Sequence, residues 1–240
     1  MVDRREQRTN RTRLAPLLPL AGLWLVGLAV IGVLLAQRQV PYEELLLDPN
    51  TVNSIPWYTG LVSNLGILGW TTATATGFFG AWVAAFGGRP GAAGMLWRGA
   101  LLSTTLLLDD LFQLHVAVGP LGVPKVAVYL AYLVGAGAWI VTQHREIRRT
   151  RAELLIAAGL AFGVSILVDQ TGGALPVLGQ QGALVVEDAS KFLGVLAWAE
   201  YFVLTSGDIV TSIVKRQRAE QAESAGAAAL TANAAGTDRF

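Results

Sequence analysis

The sequence predicts an all-α integral membrane protein, a bundle of six transmembrane helices with both termini cytoplasmic. Three observations carry that prediction: six apolar segments of spanning length, a composition 53% hydrophobic and only 15% charged, and cationic residues sorted to alternate connections. The mean hydropathy of +0.49 also lies outside the range of ordinary soluble domains. About 20 apolar residues suffice to cross the hydrocarbon core. The segments lie near 14–37, 60–87, 92–118, 121–143, 152–169 and 183–206.

The first segment follows MVDRREQRTNRTR, a basic start of 13 residues. Its apolar run is longer than a signal-peptide core, and VLLAQRQV lacks an A-x-A-like cleavage site, so it reads as a retained span. The long outer connection QVPYEELLLDPNTVNSIPWYTG carries turn signals at Asp48, Pro49 and Asn50, and Trp57 and Tyr58 suit an interfacial anchor. Small residues crowd the second span, GWTTATATGFFGAW, and the fourth, LVGAGAW, as expected where helices pack closely in lipid. Thr71, Thr72, Thr74 and Thr76 are expected to bond their own helix backbone. Pro120 and Pro124 set a tight turn before the fourth span, and TGGALPVLGQQG sets another before the sixth. The transmembrane domain covers 14–217, and the Ala-rich, weakly charged segment 218–240 reads as a disordered cytoplasmic tail, with helix an option at its start.

Orientation follows from the arginines. With the N-terminus in the cytoplasm, the cytoplasmic segments hold fifteen Lys and Arg residues, and the outer ones hold two, Arg38 and Lys125. Lys191 is left inside a span. That asymmetry is the positive-inside pattern of a plasma-membrane (inner-membrane) protein. The lipid bilayer is therefore the first partner, with partner membrane subunits as a further option. A net charge of +1 gives no reason to expect nucleic acid. The absence of cysteine excludes disulfides, thiolate metal sites and cysteine nucleophiles, and two histidines, His115 and His144, exclude a three-histidine metal site within one chain.

Two polar constellations interrupt the apolar spans. TTLLLDDLFQLH, residues 104–115, carries Asp109, Asp110, Gln113 and His115. On a continuous α-helix His115 lies roughly 140° from Asp110 and 120° from Asp109, so these three cannot share one ion through helical side chains alone. Thr105, Asp109 and Gln113 form the better stripe, spaced four apart, and Asp110 joins Gln113 at three apart. His115 is expected as a peripheral interfacial histidine. VVEDASKFLGVLAW, residues 185–198, carries Glu187 and Asp188, four and three residues before Lys191, which can pair with either; Gly194 and Trp198 continue that face. Both constellations fall at matched depth near the outer face. Asp169 is a peripheral candidate at the rim, and Ser63 and Asn64 are candidate hydrogen-bond partners. Glu200 lies on the opposite side of its helix from Lys191 and reads as snorkelling or protonated.

Four carboxylates and one ammonium would leave a formal charge of minus three, and each ionised group at the bilayer centre costs at least about 2.5 kcal/mol. Retained protons, a bound cation or a water-filled vestibule would relieve it. The candidate ion or ligand site is thus Asp109, Asp110, Gln113, Glu187, Asp188 and Lys191, with His115 and Asp169 peripheral. The leading reading is binding or conduction of a proton, a cation or a cationic small ligand. Hard oxygen ligands would suit magnesium, calcium or manganese. The alternatives are an accessory or assembly subunit whose polar cluster joins helices, and a lipid-headgroup hydrolase or transferase using a carboxylate base. A 3 + 3 inverted repeat is not visible, because the acidic pair lies late in the third span but early in the sixth.

LDDLFQLH followed by VEDASKFLG resembles a pattern in uncharacterised multi-spanning bacterial membrane proteins, where LDD or LDE leads to LHE and a later helix carries an acidic pair before LG. The resemblance covers two short segments, and Val116 stands where the pattern has an acid. It implies a bacterial multi-pass protein and no particular activity. Ceramidase-type hydrolases share intramembrane Asp, Ser and His but need three zinc-binding histidines. Microbial rhodopsins place an acid four residues before their retinal lysine, as Glu187 precedes Lys191, but show a seventh span.

Overall fold

The structure, a computed structural model, describes residues 53–56, 58–171 and 179–237, with isolated helical positions between 25 and 36. It divides into residues 1–61 and residues 62–240. In the first unit a turn is described, with the Thr59 N–H donating to the Pro56 carbonyl at 2.9 Å. All but isolated positions of the expected 14–37 span lie outside the described residues, as do Asp48, Pro49, Asn50 and Trp57.

The second unit is built of helices: α1 (Leu61–Phe86), α2 (Pro90–Phe112), the single turn α3 (Leu114–Ala117), α4 (Lys125–Ile147), α5 (Ala152–Gln170) and α6 (Gly179–Thr237). Local chemistry explains their ends. Pro90 opens α2 at its first turn, where its missing N–H costs nothing. Pro124, extended at φ −71° and ψ 142°, precedes α4. Among the described residues, three helices are long and apolar enough to cross a membrane: α4, α5 and residues 181–226 of α6. The pair formed by α2 and its continuation to Leu121, bent by 65°, makes a fourth if counted as one span. With 26 residues and no charged side chain, α1 has the length to span.

The expected continuous span over 92–118 is therefore corrected. The α-helix stops at Phe112, and Gln113 adopts the left-handed conformation at φ 49° and ψ 45°. Nothing in the apolar periodicity of LLLDDLFQLHVAV marks that break. The segment expected as a disordered tail is also helical as far as Thr237, consistent with alanine being the best helix former.

Close approach in the middle of the unit is set by small residues. A Cβ on Gly69 would lie 2.6 Å from Val195, and one on Gly80 would lie 2.2 Å from the Ser206 hydroxyl, so α1 rides directly on α6. A Cβ on Gly99 would meet Phe202 at 2.7 Å and Trp139 at 2.8 Å, which brings α2 against α6 and α4. The Phe162 ring of α5 covers Gly194 in the same way. Such close contacts favour association through dispersion, the term that matters most wherever helices lie in lipid. Buried indoles find partners here: Trp139 Nε1 donates to the Met95 carbonyl at 3.0 Å and Trp198 Nε1 to the Ser103 hydroxyl at 2.9 Å. Thr71, Thr72 and Thr76 bond carbonyls four residues back. Thr74 departs from that expectation, its buried hydroxyl having no hydrogen-bond partner among the described residues.

Candidate functional site

At the end of the unit where α2 and α5 stop and α4 and α6 begin, the helices line an open cavity of about 470 Å³. Asp109, Asp110, Gln113, His115, Asp169, Glu187, Asp188 and Lys191 all line it, together with Ser63 of α1. The structure adds Lys125, Tyr129 and Tyr132 of α4 and Ser165 of α5. Its base is aromatic. Trp70, Phe162 and Trp198 each stand seven residues from a polar group on the same helix (Ser63, Asp169 and Lys191), about 10 Å along the axis. Trp70 stacks on Phe162 with centroids 5.7 Å apart, and Trp198 closes the group at 6.1 Å from Trp70 and 6.5 Å from Phe162.

The break at Gln113 reshapes the first constellation. It turns the chain back so that Asp109, only 7% exposed, takes both hydrogen bonds that His115 can offer it. Oδ1 accepts the His115 backbone N–H at 2.7 Å, and Oδ2 lies 2.9 Å from the imidazole Nδ1. His115, expected as a peripheral interfacial histidine, lines the cavity and is held by Asp109. The helical-wheel separation of these two residues applied to a continuous helix, which α2 is not. The side chain of Asp109 takes up a backbone donor that the bend leaves without a helical carbonyl. Tyr132 of α4 also faces Asp109. The expected stripe does not survive the bend: Gln113 becomes the hinge, and Thr105 is exposed and bonds the Leu101 carbonyl.

Lys191 pairs with Asp110 of α2 rather than with Glu187 or Asp188 of its own helix. That contact ties α2 to α6 directly. Asp169 at the end of α5 accepts from Lys125 Nζ of α4 at 2.8 Å, and the same ammonium lies 5.3 Å from the centre of the Tyr129 ring. Lys125 carried no signal as a wall residue, since the sequence placed it in the outer connection. Ser165, four residues before Asp169 on one face of α5, was marked only by that spacing.

After these pairings, Glu187 and Asp188 have no hydrogen bond or ion pair among the described residues. The charged neighbours of Glu187 are Asp169, Asp188, Lys125 and Lys191. Among the described residues no group of three or more His, Cys, Asp or Glu is placed to hold a metal ion. Glu200, read as snorkelling or protonated, is exposed.

The wall can therefore do three things chemically. It can present uncompensated negative charge at Glu187 and Asp188, seat an apolar group on the aromatic base, and offer an imidazole whose Nδ1 is fixed by a carboxylate. No curated protein matches this chain, and no solved structure matches it. The model of one family, described as a domain of unknown function (DUF8692), matches residues 17–205. That match covers well over half of the chain and every residue of the cavity wall, and the chain belongs to this family.

Proposed function

We propose that this chain is a bacterial plasma-membrane protein that crosses the bilayer six times with both termini in the cytoplasm. Its cavity, near the outer face, binds or conducts a proton or a cation. The observation that carries the reading is the charge on one wall. Five carboxylates, Asp109, Asp110, Asp169, Glu187 and Asp188, stand against two ammonium groups, Lys125 and Lys191. The formal excess is three negative charges, or two with His115 protonated. Such an excess beside apolar helices calls for a compensating positive species. The six-span topology rests on the sorted arginines, and the bacterial placement on the LDDLFQLH and VEDASKFLG resemblance.

A second reading is favoured by a separate observation. The Asp110–Lys191 and Lys125–Asp169 pairs each join two helices, as helix glue in an accessory or assembly subunit would. The lipid-headgroup hydrolase or transferase, using a carboxylate base, is the third.

One experiment separates them. Purified protein is screened by thermal shift against pH and against Mg²⁺, Ca²⁺ and Mn²⁺, alongside Glu187→Gln. The protein in proteoliposomes is then assayed for pH-driven flux. Dependence on pH or cation in the wild type that Glu187→Gln abolishes supports the site; no response in either protein moves the reading to helix glue. Loss of turnover on a lipid, with no cation effect, favours the enzyme. Reporters placed at Asn50, after Arg151 and at the C-terminus test the topology, expected outside, inside and inside.

A further inference from the structure

Resting on the cavity as a cation site, we infer that its ligand is a small ammonium compound with an apolar body: the nitrogen at Glu187 and Asp188, the body on the Trp70–Phe162–Trp198 base. Four observations converge on that class. First, a volume of about 470 Å³ far exceeds what a proton or bare ion occupies and falls in the range of about 300–1,000 Å³ used for small organic ligands. Second, the deep end of the cavity is aromatic, a surface that desolvates an apolar group and attracts cations by the ring quadrupole.

Third, the positive groups of the wall are already matched. Lys191 is held by Asp110 and Lys125 by Asp169, and His115 is held by Asp109. An anion would have to break one of these pairs. The acids without a partner among the described residues are Glu187 and Asp188, so the unmet demand is for a donor of positive charge. Fourth, no three carboxylates or imidazoles among the described residues converge as a metal ion requires. An ammonium needs only one or two carboxylates and accepts their geometry more freely.

The axial separation of charge and base sets the ligand's length. Lys191 lies seven residues from Trp198, about 10 Å, and Glu187 one further turn away, about 16 Å along the helix. A single-headed amine with a body of a few carbons ending in a ring reaches from the acids toward the base. The same ammonium can arrive on a free amine or on an ethanolamine phospholipid headgroup.

The test uses the full chain and three probes of one shape: 4-phenylbutylamine, 4-phenylbutanol and 4-phenylbutyrate. Thermal shift and calorimetry in detergent should show saturable binding of the amine alone. Glu187→Gln should weaken it by about tenfold or more, with Asp188→Asn weakening it less, and neither changing the unliganded melting temperature by much. Phe162→Leu, which keeps an apolar side chain over Gly194, should also weaken the amine. The source is read in nanodiscs: abolition of the amine response by ethanolamine lipid, but not by pure phosphatidylglycerol, assigns the headgroup, and persistence in both assigns the free amine.

Equal binding of the alcohol overturns the inference, because charge would not be recognised. A chain that answers to pH or Mg²⁺ but to no amine also overturns it, while the cation-site reading stands. Silence to all probes and to pH and Mg²⁺ removes both.

Discussion

The middle of the bundle and its cavity end use the same helices in opposite ways. In the middle, glycines remove side chains wherever α1, α2 and α6 meet, and Gly69, Gly80 and Gly99 leave no room for even a methyl group. At the cavity end the same helices carry Asp110, Lys191 and Trp70 into a shared space, and contact is made through long side chains and ion pairs. The difference teaches that small residues fix the helix positions, and that polar residues then exploit a gap they did not create. Stability should accordingly be concentrated in the middle and ligand response at the end.

The largest break in that comparison is Gly99→Val. Its added atoms must displace Phe202 and Trp139, which close approach leaves no room to do, and overpacking of this kind costs about 1–3 kcal/mol or more. Thermal unfolding in detergent should show a strong fall in melting temperature. A change near zero would mean that the middle is loosely packed.

Asp109→Leu comes next. It strands the His115 backbone N–H and frees the imidazole, a loss of about 1–3 kcal/mol if neither finds water. Hydrogen exchange should rise at residues 113–117 while the middle of α2 stays protected. Lys191→Met is smaller, because Lys191 is 41% exposed though Asp110 is only 11% exposed. Between the surface and buried limits the expected cost is about 1–2 kcal/mol. Adding Asp110→Asn should recover part of it, and a double-mutant cycle showing no coupling would contradict the pairing.

The smallest effect has the opposite sign. Gln113→Gly removes the side chain from a left-handed residue, and should stabilise or leave unchanged, by up to about 1 kcal/mol, whereas Gln113→Val should destabilise. Stabilisation by valine instead would mean that the helix runs straight through residue 113.

Much of the architecture was legible because it is local. Runs of apolar residues placed α1, α4 and α5 within a few residues of their observed ends. The small residues of GWTTATATGFFGAW announced a packed face. Charge in an apolar run also marked the wall in advance, since Asp109, Asp110, Glu187 and Asp188 are costly wherever no function or partner retains them. The aromatic base was not legible, because Trp70, Phe162 and Trp198 lie on three separate helices and only the fold brings their rings together.

What the sequence determined by itself, then, is where helices form and which polar side chains they carry, because hydrogen bonding from residue i to i−4 and the hydrophobic period depend on near neighbours alone. What only the tertiary structure decided is who meets whom. Lys191 had acids three and four residues away, yet its ion pair is with Asp110, 81 residues back in the chain. That choice depends on how closely α2 and α6 approach and how each is rotated, and glycine contacts elsewhere in the bundle set both. The Asp109–His115 contact needs one left-handed residue, Gln113. Glutamine has no intrinsic preference for that conformation. Its cost there, about 1–2 kcal/mol, is offset by two hydrogen bonds to a buried carboxylate, an exchange that the order of residues along the chain does not display.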